Sequence, residues 1–124
     1  MVLADTCVWV KHFRKGQKHL IQLLEQGFVV CHPFIIGELA CGGLKNRSEI
    51  IQLLEALPKV DVLEHAEIME FIETRKLMSI GIGYVDIHLL GSSLLSSTPL
   101  WTFDKSLAKA ANLQNIDYNI KLKK

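Results

Sequence analysis

Val2-Leu3-Ala4-Asp5-Thr6-Cys7-Val8-Trp9-Val10 is the stretch whose reading decides the fold. A short apolar run climbs into a carboxylate and stays apolar beyond it, as a buried strand does when it delivers an acid to the edge of a core. An ionised carboxylate in that setting is costly unless something pairs with it. The rest of the chain must therefore supply a partner for Asp5.

Working outward, apolar runs alternate with amphipathic stretches, the pattern of an α/β fold with a mostly parallel sheet. Five short strands are predicted: Val2 to Ala4, Phe28 to Cys31, about Val60 to Leu63, Leu100 to Phe103, and Ile116 to Asn119. An amphipathic helix with Leu20, Ile21, Leu23 and Leu24 precedes the second strand and ends near Gly27. Two helices follow that strand, one opening at Pro33, a residue suited to a first turn, and one at Ser48, a plausible cap. A longer helix runs from Glu64 to Met78, Gly81-Ile82-Gly83 breaks it, and further helices cover Val85 to Ser96 and Lys105 to Ala111. Lys121, Lys123 and Lys124 make a small basic tail.

The 124 residues suit a single domain spanning 1–124, and 49% hydrophobic content excludes a disordered chain. No apolar run reaches the roughly 18 residues of a membrane span, and the N-terminus shows no secretory signal, so a cytoplasmic protein without membrane attachment is expected. Cys7, Cys31 and Cys41 are widely spaced with no Cys-x-x-Cys pair, and they read as reduced, buried small hydrophobes. A net charge of +1 argues for no particular partner.

Most of the 13 acidic residues have an ordinary explanation. Glu64, Glu67, Glu70 and Glu73 recur at helical spacing near Arg75 and Lys76, as a solvated face does. Four others are embedded in apolar sequence: Asp5, Glu38 in Phe34-Ile35-Ile36-Gly37-Glu38-Leu39-Ala40, Asp86 in Gly83-Tyr84-Val85-Asp86-Ile87-His88-Leu89-Leu90, and Asp104 after Leu100-Trp101-Thr102-Phe103. In an open parallel sheet the ligand crevice lies beyond the strand carboxyl ends, where strand order reverses. Asp5 and Asp104 sit at such ends, and a doubly wound order sets their strands side by side. Asp86 falls in the first turn of its helix, and Glu38 lies about one turn into the helix after the second strand. All four can converge on one pocket.

Carboxylates sharing a pocket repel one another unless cations neutralise them. Hard oxygen donors without Cys or His suit Mg2+ or Mn2+, and the chemistry they support is metal-assisted phosphodiester hydrolysis. Thr6, Cys7, Thr102 and Ser106 can support the acids through hydrogen bonds. Lys11, His12, Arg14, Lys15 and Lys18, with Lys45 and Arg47, are candidates for phosphate contacts or a solvated face. His88 is two residues from Asp86, turned to another face of the helix, and reads as packing. Trp9, Phe13, Trp101 and Phe103 read as core or interface.

Leu3-Ala4-Asp5-Thr6, Ile36-Gly37-Glu38-Leu39, the Gly83 to Leu90 segment and Leu100 to Lys105, taken in this order, resemble the PIN-domain ribonucleases, specifically the VapC-type toxins of bacterial toxin-antitoxin pairs. The resemblance covers essentially the whole chain. It implies a three-layer α/β/α sandwich around a mostly parallel five-stranded sheet, and Mg2+ or Mn2+ coordinated by Asp5, Glu38, Asp86 and Asp104. It also implies RNA as the substrate, a homodimer, and a cognate antitoxin that blocks the active-site groove. Cys7 stands where many relatives have serine.

Alternative readings fit less well. A haloacid-dehalogenase phosphatase needs a second aspartate two residues after the first, where this chain has Cys7. A receiver domain needs an early acidic pair and a late lysine, and a dinucleotide-binding module needs Gly-x-Gly-x-x-Gly after the first strand. A catalytically idle PIN-like module that only binds RNA or a protein is the remaining alternative.

Overall fold

The computed structural model describes residues 1–119; the basic tail lies outside them. Its strands are β1 (Val2–Ala4), β2 (Val29–Val30) and β3 (Leu100–Trp101). The helices are α1 (Thr6–Lys15), α2 (Lys18–Glu25), α3 (Pro33–Ala40), α4 (Arg47–Ala56), α5 (His65–Arg75), α6 (Tyr84–Leu95) and α7 (Lys105–Leu113). The order in the sheet is β2-β1-β3, all parallel, with Leu3 opposite both Val30 and Leu100. β1 is the central strand, and its three residues are almost wholly inaccessible, which is why it reads as an unbroken apolar run rather than an alternation. The neighbour predicted for it, the strand ending before Asp104, is the one it has.

The sheet has three strands among the described residues, not the five predicted. The two missing strands survive as single parallel bridges at the two edges, Cys31 with Lys59 and Leu100 with Asp117. Each bridge holds two backbone hydrogen bonds: Cys31 N–H to Pro58 and Val60 N–H to Cys31 on one side, Leu100 N–H to Ile116 and Tyr118 N–H to Leu100 on the other. The physical reason is the shortness of the partners. β2 turns at His32 into Pro33, which has no N–H to continue a ladder, and β3 stops after two residues.

Capping decides where the helices begin. His32 stands before α3, and its Nδ1 accepts from Phe34 N–H at 2.9 Å. α4 starts at Arg47 behind Asn46, which takes the left-handed conformation at φ 52°, so the expected cap Ser48 lies inside the first turn instead. α5 stops at Arg75, short of Met78, because Lys76 adopts φ 53°. The stretch before β2 is two helices, parted at Gly16 with φ 75° and ψ 139°.

Packing runs α1 on α3, α3 on α4, α5 on α6, and α6 on α7 and β3. α6 is the most enclosed helix, buried continuously from Ile87 to Ser93. Gly91 faces Leu63, Phe71 and Ile68, where a Cβ would make ordinary contacts at 3.5 to 3.6 Å. The cysteines depart from expectation: only Cys31 is buried, with its thiol pushed up to about 11 by desolvation, while Cys7 is half-buried and Cys41 exposed. No helix among the described residues is long and apolar enough to cross a membrane.

Candidate active site

Because β1 ends one residue before α1 begins, Asp5 must be both the residue that leaves the sheet and the cap of the helix. Its backbone N–H still donates to Trp101 at 2.8 Å, which pins it to β3. One carboxylate oxygen accepts from Thr6 N–H at 2.7 Å, and the other from the Thr102 hydroxyl at 2.7 Å. Only 7% of Asp5 is exposed. Thr102 does more than serve Asp5, since its Oγ1 also accepts from Asp104 N–H at 3.0 Å. One hydroxyl thus fixes the spacing of two acids. Cys7 closes the arrangement, with Sγ accepting from Phe103 N–H at 3.3 Å and lying 3.5 Å from both Asp5 Oδ2 and Thr102 Oγ1. Burial, first of all, pushes the Cys7 thiol above its ordinary range, so it sits there as a neutral thiol.

The remaining acids come from helices. Glu38, exposed on α3, accepts from the Thr6 hydroxyl at 2.6 Å. Asp86 sits at the third position of α6 and accepts from Gly83 N–H at 3.4 Å. Asp104 caps α7 through Leu107 N–H at 2.9 Å, so the ordinary role of an acid after a strand is real here. It does not exclude a second role, because Asp104 also lines a cleft of about 620 Å³ with Asp5, Glu38 and Asp86. Burial raises the Asp86 carboxyl above its usual range, and the charges of Asp5, Asp104 and Glu38 add to that rise. Asp86 therefore feels the other three acids.

Thr6 and Thr102 stand where the sequence reading put them, in contact with acids. Ser106 does not reach them; its hydroxyl lies against the Gly81 turn, where φ is 84°. Of the basic candidates, Lys11, Arg14 and Lys15 line the cleft. His12 instead accepts from Gln17 N–H through Nδ1, and Arg47 donates to the Ala40 carbonyl. Val10 was missed, although helical spacing from Thr6 sets it on the same face of α1 as Arg14. His88 is packing, as read: it is buried, with the Phe34 and Tyr84 rings at 4.7 Å. Trp9 and Trp101 are core, whereas Phe103 is exposed beneath the Lys11 ammonium at 4.8 Å.

The donor chemistry fits a hard divalent cation. Among the described residues, the carboxylates are bonded by hydroxyls, a thiol and backbone N–H groups, and by no cationic side chain. Their mutual repulsion at Asp86 is what a cation would relieve. As the side chains stand, no three acidic, histidine or cysteine groups among the described residues close around one point. A divalent cation here would rest on one or two of these carboxylates and on water.

Comparison with known proteins places the fold in a family. The family model of the PIN domain matches residues 2–113. Ribonuclease VapC32 of Mycobacterium tuberculosis, from strain CDC 1551 / Oshkosh and from strain ATCC 25618 / H37Rv, is 40% identical over 111 residues, covering 89% of this chain and 90% of the relative in each case.

Proposed function

The chain belongs to the PIN-domain family, with VapC-type ribonucleases among its relatives, and from that premise we propose that it is the toxin of a type II toxin-antitoxin pair, a Mg2+- or Mn2+-dependent endoribonuclease. The observation that carries the reading is the gathering of Asp5, Glu38, Asp86 and Asp104, from four separate elements, on one cleft that Lys11, Arg14 and Lys15 also line. Acids alone would repel an RNA strand. Acids and cations lining one cleft can hold a metal ion and a phosphodiester together.

In this reading Asp5 and Asp86 would hold the ion, assisted by Glu38 and Asp104. When bound, such an ion would supply Lewis acidity and an activated water for phosphodiester hydrolysis. The chain's own residues set the geometry. Thr102 locks the Asp5 carboxylate in one rotamer and ties it to the backbone of Asp104. Thr6 orients Glu38, and the basic side chains of α1 draw in the phosphate. Asp5 and Asp104 follow the carboxyl ends of β1 and β3, in keeping with an α/β/α sandwich. A homodimer, a cognate antitoxin acting on this groove and a cytoplasmic setting complete the proposal.

Asp5 and Asp104 also cap their own helices and Glu38 accepts from the Thr6 hydroxyl, structural roles that favour a second reading, an idle PIN-like module that binds RNA or a protein. RNA cleavage measured with Mg2+, Mn2+ or EDTA separates the two. Metal-dependent cleavage that disappears in Asp5→Asn and Asp86→Asn, with the circular dichroism spectrum kept, supports the nuclease. Undiminished cleavage in either variant would falsify the site.

A further inference from the structure

Lys11 lines a cleft with four carboxylates, yet among the described residues its ammonium pairs with none of them. It lies instead over the ring of Phe103, 4.8 Å from the centroid. We propose that Phe103 is a positioning residue: its ring holds the Lys11 ammonium off the acids, so that the carboxylates stay open for a cation and Lys11 stays charged for a phosphodiester. The inference rests on the ribonuclease reading of the cleft.

The groups that set the acids also set this ring. Phe103 N–H donates to Cys7 Sγ at 3.3 Å, and the neighbouring Thr102 hydroxyl donates to Asp5 and accepts from Asp104 N–H. The backbone of Phe103 is therefore held between two acids. Its ring stands at 79° to that of Trp101, with 6.0 Å between centroids, and Trp101 is buried. The opposite side is left to Lys11, because Phe103 is 43% exposed. Helical spacing supplies the match: Cys7 and Lys11 are one turn apart on α1, so the residue that takes the Phe103 N–H and the one that covers its ring share a ridge. Arg14 and Lys15 line the same cleft with no ring beneath them among the described residues.

The chemistry explains why a ring serves here and an acid would not. A lysine paired with Asp5 or Asp86 occupies an oxygen that a divalent ion needs and spends the charge that a phosphate needs. An aromatic face attracts an ammonium through its quadrupole and leaves its charge unneutralised. Leucine in that place keeps the apolar cover but offers no such rest. The acids lining the same cleft then draw in an ammonium carried on a flexible four-carbon stem.

Calorimetry with Mn2+ on the chain without RNA reads the acids, and anisotropy of a labelled single-stranded RNA in EDTA reads the lysine without cleavage. Phe103→Leu, with its circular dichroism spectrum kept, binds Mn2+ about 2- to 5-fold more weakly, and Phe103→Trp keeps the wild-type affinity. Phe103→Leu combined with Lys11→Met regains the Mn2+ affinity of Lys11→Met alone, because the competitor for the acids is gone. In EDTA, Lys11→Met lowers the slope of log RNA affinity against log salt by about one, and adding Phe103→Leu lowers it no further. Lys15→Met and Phe103→Leu, by contrast, add. The Lys11 ε-methylene protons show an upfield ring-current shift in the wild type that Phe103→Leu abolishes. A double variant that binds Mn2+ as weakly as Phe103→Leu gives the ring a merely structural role and overturns the proposal. So do additive losses of RNA affinity for Lys11→Met and Phe103→Leu, or a lysine shift that Phe103→Leu leaves in place. Failure of the wild-type chain to cleave RNA with divalent cations, with these couplings intact, counts against the nuclease reading alone.

Discussion

The acidic cleft and the buried histidine pair are both places where burial works against charge, and they answer it in opposite ways. In the cleft, desolvation raises Asp86 and three neighbouring acids raise it further. Behind α3, desolvation lowers His32 to about 4, and His88, whose ring lies 6.3 Å away, adds to that fall. The histidines respond by staying neutral, because their own pKa lets them. Asp86 has no such exit: its ionised form is disfavoured by burial and by the acids beside it. Charge retained against the interest of stability marks the functional region, and charge given up marks the packed one.

The largest effect expected from this contrast is at Asp86. Because its folded pKa lies above the unfolded value, folding disfavours its ionised form, and a neutral isostere removes that penalty. Asp86→Asn should therefore melt higher than the wild type at pH 7, while RNA cleavage falls by at least about 100-fold, the loss attached even to groups one step removed from a metal. Glu70→Gln, on the exposed face of α5, should change neither. A melting temperature that drops along with activity would remove the distinction between the two regions.

Next in size is the acid sensitivity of His32. Its folded pKa is depressed, so the unfolded chain binds more protons between about pH 4 and 6.5. The stability that depends on neutral His32 is thus present above pH 6.5 and lost as pH falls toward 4, on the order of 3 kcal/mol across the window. Protonation would also strip Nδ1 of the lone pair that accepts from Phe34 N–H, loosening the start of the helix that carries Glu38. Urea midpoints taken from pH 7 to 4.5 should decline more steeply in the wild type than in His32→Ser, where serine keeps a cap but cannot titrate. Parallel declines would show that burial of His32 carries no linkage.

Smaller again is the effect of the hydroxyl that joins two acids. Thr102→Val keeps shape and removes the donor to Asp5 Oδ2 and the acceptor for Asp104 N–H. Divalent-ion affinity, measured by calorimetry on the chain without RNA, should weaken about 10- to 100-fold, and Thr102→Ser should restore it. Full affinity in the valine variant would mean that the acids hold their positions without this bridge.

How much of this was legible in the sequence follows from what each feature depends on. β1 and the four acids could be read because each is a local contradiction, a charge inside an apolar run, and parallel topology alone decides where strand ends meet. Strands three and five could not, since a strand's length is set by its partner: Val60 and Tyr118 pair only as far as β2 and β3 extend. The α4 cap was misjudged because Asn46 acts through a left-handed backbone rather than a side-chain bond, which residue type alone does not reveal. A second cavity, beside the acidic cleft, was invisible for a different reason. Phe13, Leu44 and Ile50 are ordinary apolar residues far apart in sequence, and only the packing of α1 against α3 and the arrival of α4 make a wall of them.

The smallest effect is the most discriminating about the buried side of the contrast. His88 sits on α6 two residues from Asp86, a position that invites a catalytic reading, yet it is 3% exposed and its Nδ1 finds no partner among the described residues. What it offers the fold is a ring between those of Phe34 and Tyr84, each at 4.7 Å. Replacing it with leucine removes a buried polar atom whose unsatisfied state costs about 1–3 kcal/mol. The same change forfeits ring contacts worth about 0.5–1.5 kcal/mol. His88→Leu should accordingly be neutral or up to about 1 kcal/mol more stable in urea unfolding. If the imidazole took part in proton transfer, the same variant would keep its stability and lose most of its cleavage, with the pH profile of the residual rate losing a limb. Unchanged cleavage together with unchanged or improved stability confines the chemistry to the carboxylates on the other side of α6.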